Sequence, residues 1–390
     1  DVYKRQDYNS LQHRKVDVVS SALDFILPFE KYKITAGAKV SFTNTRNGIN
    51  YDTSDPTLVQ DDYFRYKEQI YALYADYSRE YSERFSMQLG LRMEHTRTTG
   101  ISEAKDTEDK HDYTRLFPTV YLLYSPTDGH ALNFSFSNRI SRPSQNMVNP
   151  FPFYQNKYTY ACGREDLKPS YTYNAELGYT LKNNFNVSAY YSYSDDVFFQ
   201  VVDLDAETNV TSFLWENFMK THAFGLNNSY TFRTKWLQAY AQHGVSYRRT
   251  TSSAVTTSSE EKGWAYDASL RNTFFFNEKK TLLATLSGSY SSRQYQGIYL
   301  MSPTYSVSAG MLYRLLDNKL NLSLNVNNLF VSHSKLETMS NGLKIIADNQ
   351  FSFTSFRIGV SYTFGGDIRS KGQRLSLIHI SEPTRHLRIS

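Results

Sequence analysis

Apolar and polar residues alternate along most of this chain with a period of two. Phe85, Met87, Leu89, Leu91 and Met93 interleave with Ser86, Gln88, Gly90, Arg92 and Glu94. Leu320, Leu322, Leu324 and Val326 interleave with Asn321, Ser323, Asn325 and Asn327. Phe356, Ile358, Val360, Tyr362 and Phe364 do the same with Arg357, Gly359, Ser361 and Thr363. Successive side chains of a strand face opposite ways, so each segment has one apolar and one polar face. The pattern predicts fifteen strands, near 14–27, 31–45, 63–80, 84–99, 112–125, 130–142, 170–182, 185–203, 210–233, 236–251, 263–276, 281–296, 303–316, 319–330 and 350–364. The ninth contains "ENFMKTH", which breaks the alternation and reads equally as a divide between two pieces.

Strand length separates a sandwich from a membrane wall. Soluble strands run to about 5–6 residues. Here the alternation lasts about 11 to 14 residues, and a tilted strand needs ~9–11 to cross a bilayer. The polar face carries Asn, Ser, Gln, Arg and Glu along its whole length, as a wet or plugged lumen does. The expected fold is therefore all-β, a transmembrane antiparallel β-barrel in contact with outer-membrane lipid.

The connections are asymmetric. Short ones fall near 28–32, 80–84, 125–130, 181–185, 232–236, 276–280 and 316–320. Long ones fall near 46–62, 100–112, 143–169, 204–212, 252–263, 297–302 and 331–349. Outer-membrane barrels have short periplasmic turns and long extracellular loops. Aromatics flank many short turns (Phe29 and Tyr32, Tyr81 and Phe85, Phe232 and Trp236), as an interfacial girdle would. Trp264 follows a long loop and is expected in the opposite girdle. Bacterial single-chain barrels have even strand numbers. An odd count with the first strand starting on the long-loop side predicts the last fifteen strands of a 22-stranded barrel, the size class with a plugged lumen.

Composition removes several other classes. The formal charge is +5, and 1–6 and 375–390 each contribute +1, so the middle carries only +3. That is not the clustered basic face of a nucleic-acid binder. A single cysteine, Cys162, excludes an internal disulfide framework and a Cys-based zinc site. The nine histidines show no H-x-H or H-x-x-x-H spacing, and no cofactor motif is present. There is no G-x-S-x-G elbow, so the chain is not expected to be an enzyme.

The segment 138–179, "NRISRPSQNMVNPFPFYQNKYTYACGREDLKPSYTYNAELGY", is the longest connection with its flanking strands. It resembles the barrel of TonB-dependent outer-membrane receptors, and within them the Bacteroidetes-type outer membrane β-barrel family. There an R-x-S-R-P-S run ends a strand, an N-P-F loop follows, and G-N-x-x-L-K-P-E leads into E-L-G-Y. Arg139, Ser141, Arg142, Pro143 and Ser144 match the first part; Asn149, Pro150 and Phe151 match the second. Gly163, Leu167, Lys168, Pro169, Glu176, Leu177, Gly178 and Tyr179 match the third. Arg164 stands where Asn is usual, and Ser170 where an acid is usual. "LNVNNLF" (324–330) and "FRIGVSYTF" (356–364) resemble the family's last two strands. The terminal Phe364 resembles the signal read by the barrel-assembly machinery.

The organisation expected is a partial barrel over 7–366 and a short periplasmic tail at 367–374. The ends at 1–6 and 375–390 resemble translated sequencing-adapter read-through. The resemblance implies a receptor that binds a nutrient outside and imports it with a plug and the periplasmic TonB complex, both outside this chain. A surface lipoprotein is a further partner of such receptors. The alternatives are a passive porin-like channel and a non-transporting glycan-binding or adhesin barrel.

Candidate ligand contacts are Arg139, Arg142, Asn149, Phe151, Phe153, Tyr154 and Tyr158. Loop aromatics stack on sugars or planar ligands, and the arginines attract anions. Packing within the loop and pairing with carboxylates are the competing roles. The acidic stretch 100–112 reads as a solvated loop, and no metal site is assigned.

Overall fold

The computed structural model describes residues 8–53, 62–103, 106–156, 158–205, 207–349 and 353–364. The terminal segments expected at 1–6, 367–374 and 375–390 lie outside them. The elements in order are β1 (Tyr8–Pro28), β2 (Tyr32–Thr53), β3 (Asp62–Ser82), β4 (Phe85–Ser102), β5 (Thr107–Tyr124) and β6 (His130–Ser141). Then come α1 (Gln145–Val148), β7 (Phe153–Asn156), β8 (Thr159–Cys162), β9 (Ser170–Leu181), β10 (Phe185–Asp205), β11 (Val210–Arg233), β12 (Leu237–Ser252), β13 (Glu260–Phe275) and β14 (Leu282–Ser291). The last are β15 (Gln294–Gln296), β16 (Tyr299–Met301), β17 (Thr304–Leu315), β18 (Leu320–Val331), β19 (Ser334–Ser340), β20 (Leu343–Asn349) and β21 (Ser355–Tyr362).

Fifteen of these form one antiparallel wall, β1 to β6, β9 to β14, then β17, β18 and β21, each paired with the next. Among the described residues no ladder joins β1 to β21. All seven short connections lie at one end of the wall. Their tight geometry uses left-handed residues, with φ of 48° and 56° at Lys182 and Asn183 and 78° at Gly129. The register keeps each face continuous. Tyr71, Leu73 and Tyr77 on β3 align with His95, Met93 and Leu89 on β4, all facing out. Asp76 and Gly90 align on the inner face. From Tyr71 to Tyr81 the outward residues of β3 span ten steps, about 25 Å at the usual rise and tilt, the height of a lipid-facing band. The inner face uses glycines to seat large polar residues. The ring of Tyr74 lies over Gly37 directly opposite it, and its hydroxyl donates to Asp24.

Both girdles are present. Phe29 stacks on Tyr32 at 4.5 Å at the short-turn end. Trp264 meets Tyr247 and Phe224 at 5.2 and 5.7 Å toward the other end.

The strands outrun the membrane, which corrects several expected loops. The stretch 100–112 is mostly ladder, with Ser102 opposite Thr107, and Arg97 ion-pairs with Asp112 across it. Likewise β10 and β11 pair up to Asp205 and Val210. Backbone hydrogen bonds above the bilayer still need partners, and a neighbouring strand supplies them more completely than a loop does. Segment 210–233 is one strand. Its broken alternation answers a bulge in β10, where Asp196 has φ of 51° and the register shifts.

The well-packed core lies outside the membrane, at the mouth. Val201, Val202, Phe218, Met219, Ile298 and Tyr299 form one buried cluster under a second small sheet of β15, β16, β19 and β20. Burial pushes the Tyr299 phenol up to about 12, and its hydroxyl donates to the Gln200 carbonyl at 2.7 Å. Phe64, Val148, Phe151 and Leu167 form the other.

Candidate functional site

The site is the mouth of the barrel, and the segment after β6 builds it. The β5–β6 ladder stops at Thr119 opposite Ser137, beside Pro118, which has no N–H to give. Above that point the Asn138 side chain donates to the Leu116 carbonyl at 3.3 Å instead. β6 continues paired to β9 alone, and the chain beyond Ser141 turns inward.

Arg142 anchors that turn. Its Nη2 donates to Glu94 Oε2 and lies 3.4 Å from Thr96 Oγ1, and its Nε stands 3.7 Å from Glu68 Oε1. Glu94 also accepts from Arg92 Nε at 2.6 Å, so one carboxylate ties the lumen wall to the inturned loop. Glu68 sits between the outward-facing Lys67 and Gln69, beyond the Tyr71 girdle and outside the lipid band. Burial raises its carboxyl above the ordinary value, Arg142 opposes that shift, and Glu94 adds to it. The Arg142 position thus favours the carboxylate-pairing role over a free cation.

The remaining motif residues fasten the loop to itself. The Asn149 side chain accepts from the Phe151 N–H at 3.3 Å, and its N–H closes α1 on the Gln145 carbonyl at 3.0 Å. The N–H groups of Gly163 and Arg164 donate to the carbonyls of Asn149 and Met147 at 2.9 and 2.8 Å. A β-carbon on Gly163 would lie 2.3 Å from Asn149 O, so only glycine fits. Phe151 and Leu167 are buried against Phe64. Cys162 Sγ donates to the Pro150 carbonyl at 3.0 Å. Arg164, where the family pattern has Asn, pairs with Asp166 and, at 3.2 Å, with Glu216. Asn217 clamps the end of the loop. It accepts from the Lys168 N–H and donates to the Lys168 carbonyl, both at 2.8 Å. The "ENFMKTH" irregularity therefore supplies this clamp and two residues of the apolar cluster.

The other candidates keep access to solvent. Arg139 is exposed on the lumen wall, Phe153 and Tyr158 are exposed, and Tyr154 is half-buried against Tyr160 at 5.5 Å. Phe153 lines a space of about 330 Å³ with Asn149, Phe151 and Trp215, and two further spaces lie at the mouth and in the lumen. A cleft of about 320 Å³ at the mouth is lined by Tyr66, Glu68, Tyr113, Arg115, Lys168 and Tyr171, among others. Arg115 lies over the Tyr171 ring at 4.8 Å. Below it the lumen wall lines about 790 Å³ with Asp24, Lys39, Asp76, Arg92, Glu94 and Arg139, among others. Phenols, guanidinium groups and carboxylates in one cleft suit a polar, hydroxylated or charged ligand. Sequence reasoning missed Glu68, Glu94 and Tyr113. Their signal was readable: ionisable or phenolic groups at inward positions near the loop ends of strands. Among the described residues no group of three or more His, Cys, Asp or Glu is arranged for a metal ion.

Residues 2–362 match the model of the outer membrane protein β-barrel family. The chain belongs to that family. It is a multi-pass β-barrel protein of the outer membrane. Solved structures of the same fold include the copper transporter OprC, at 13% identity and TM-score 0.64, covering 91% of this chain and 58% of that one. The ferric yersiniabactin uptake receptor FyuA from Yersinia pestis aligns at 16% identity and TM-score 0.63, covering 92% and 56%. The unliganded ferric citrate transporter FecA aligns at 13% and 0.61, also covering 92% and 56%. This outer-membrane barrel chain thus spans a little over half the length of these transporters and receptors. None of the curated proteins compared matches it in sequence.

Proposed function

We propose that the chain is the barrel wall of a TonB-dependent receptor that captures a polar nutrient at the mouth and passes it through the lumen. The observation that supports this best is the inner face. Asp24, Lys39, Asp76, Arg92 and Arg139 line a large space that faces neither lipid nor a packed core. Charged groups in that position suit a folded plug or a hydrated ligand. The likeness to metal-chelate receptors adds support at the level of fold. On this reading fifteen strands are part of a 22-stranded wall, and the plug and the TonB-contacting segment belong to the rest of the protein. On the same reading the assembly machinery reads the strand ending at Phe364, and a surface lipoprotein is a further partner.

Ligand contact falls to the accessible candidates Arg139, Phe153, Tyr154 and Tyr158, with Tyr113 and Arg115 of the cleft. Arg142, Asn149 and Phe151 act by holding the loop in place. The test is the complete gene and its product in a planar bilayer. A plug-encoding segment upstream and a nearly closed barrel support the receptor. Steady spontaneous conductance without a plug segment identifies a porin, and surface binding without import in a deletion strain identifies an adhesin.

A further inference from the structure

Two polar side chains stand in the middle of the lipid-facing surface. Asn228 on β11 and His243 on β12 lie directly opposite each other. Their neighbours Asn227, Gln242 and Gly244 line a lumen space, so the pair points outward. Asn228 is four residues from Phe224 of the outer girdle and four from Phe232 at the short-turn end. His243 is four residues from Tyr247 and seven from Trp236. At about 2.5 Å of height per residue, each lies about 10 Å or more from both girdles, within the hydrocarbon. Lipid-facing residues at mid-height on β2 to β5 are apolar, among them Ala38, Ala75, Leu89 and Val120. Asn272 on β13 shares the outer face but lies only two residues above Phe274, close to the short-turn interface and its water.

Hydrocarbon offers no hydrogen bonds, so a polar group there needs a protein partner. Within one barrel that need is half met. Asn228 Nδ2 donates to the Asn186 carbonyl at 3.2 Å, while its Oδ1 accepts from no described group. The His243 ring has no hydrogen-bond partner among the described residues and stands beside the Tyr266 ring at 6.4 Å. One open acceptor and one open donor therefore lie side by side on the lipid face. Small residues adjoin them: Ala241 is next along the same face of β12, and Ala268 is directly opposite His243 on β13.

We propose that this face of the wall is an interface with a second copy of the protein inside the membrane. The pair is self-complementary. A two-fold axis along the membrane normal, passing between β11 and β12, sets the imidazole N–H of His243 in one copy against the open Asn228 Oδ1 of the other, and the reverse. Alanines beside the contact let the two walls approach closely, as small residues do where membrane segments pack. The five strands β10 to β14, about 4.8 Å apart, present a strip about 24 Å wide and about 25 Å tall. Two such strips bury about 1,200 Å² together, the lower bound of a specific interface. The proposal is independent of what the barrel transports.

The test uses the whole protein in outer membranes, in a Cys162→Ser background. Val245→Cys, one row from the pair and beside the axis, should give a product of twice the protein's mass with a short bismaleimide. Val120→Cys, at mid-height on β5, should not. The double variant H243L/N228L should self-associate about tenfold more weakly in liposomes, at about threefold for each of the two hydrogen bonds, read by energy transfer between labelled copies. As a monomer at high lipid dilution it should be at least as stable as the parent, because no open polar group remains in lipid. The proposal is overturned if Val245→Cys gives no dimer, if Val120→Cys cross-links equally, or if the product contains a different protein. It is also overturned if H243L/N228L associates as strongly as the parent. A less stable monomer would overturn it too, by showing that the pair bonds within one barrel.

Discussion

Gly163 and Asn149 meet backbone to backbone: the glycine N–H donates to the asparagine carbonyl at 2.9 Å, with no room for a side chain between them. This contact closes the inturned loop on the end of α1. Gly163→Ala should open it at a cost of about 1–3 kcal/mol. Faster tryptic cleavage after Arg164 on intact cells is the expected outcome. Gly288→Ala, whose added carbon would find its nearest neighbour at 3.8 Å, should leave cleavage unchanged.

Arg142 is the loop's electrostatic anchor. Arg142→Met leaves Glu94 and Glu68 facing each other with their cation removed. The loss should be about 2–3 kcal/mol, below that of a fully buried pair because the guanidinium keeps some solvent contact. Combining it with Glu94→Met should recover part of the loss, since the repulsion between Glu94 and Glu68 is then gone. Urea titration of protease resistance across the four-member cycle checks this, and simple additivity would show that the pair is uncoupled.

Glu68 gives the mouth a pH dependence of defined sign. Its carboxyl is raised in the fold above the reference value of 4.5, first by burial and then by Glu94, against Arg142. The folded state therefore binds the proton more readily than the unfolded chain. That contribution to stability is full below the unfolded value and is lost as pH rises through the folded one. Loop protection should fall as pH climbs from about 4.5, and Glu68→Gln should flatten the fall. A profile that instead rises through that window in the parent alone would contradict the assignment.

Phe64 has no exposed surface and is the centre of the mouth cluster with Val148, Phe151 and Leu167. Phe64→Ala should cost about 3–5 kcal/mol. The effect should appear as loss of loop protection while the membrane strands still migrate as folded barrel on unheated gels.

The two faces of one strand should respond oppositely to charge. Leu89 lies at mid-height on the lipid side of β4, and Gln88 beside it faces the lumen. Leu89→Arg should lower folding into liposomes by about 2–4 kcal/mol, while Gln88→Arg should be nearly neutral. Equal effects would mean that the inside and outside of the wall are assigned wrongly.

Much of this architecture is legible in the sequence. The period-two alternation placed fifteen strands, and the ladder order shows the same fifteen. The seven short turns stand where the turn residues predicted them. Strand ends were less legible, because the apolar signal stops where the lipid stops. Beyond Thr99 and before Asp112, for example, both faces are polar and the alternation vanishes, yet the ladder continues to Ser102 and Thr107. Arg142 and Phe151 were visible as motif residues, but their partners were not. Glu94 is 48 residues from Arg142, and Phe64 is farther still from Phe151.

The sequence by itself determined the fold class, the fifteen strands of the wall and which face of each of them meets lipid. It could do so because those properties depend only on local alternation and on bilayer thickness. Tertiary structure alone decided that the 142–169 segment folds into the mouth rather than away from it. It also decided that most of its motif residues are spent on holding it there. Each depends on cross-strand register and long-range packing, which bring together residues that no local pattern links.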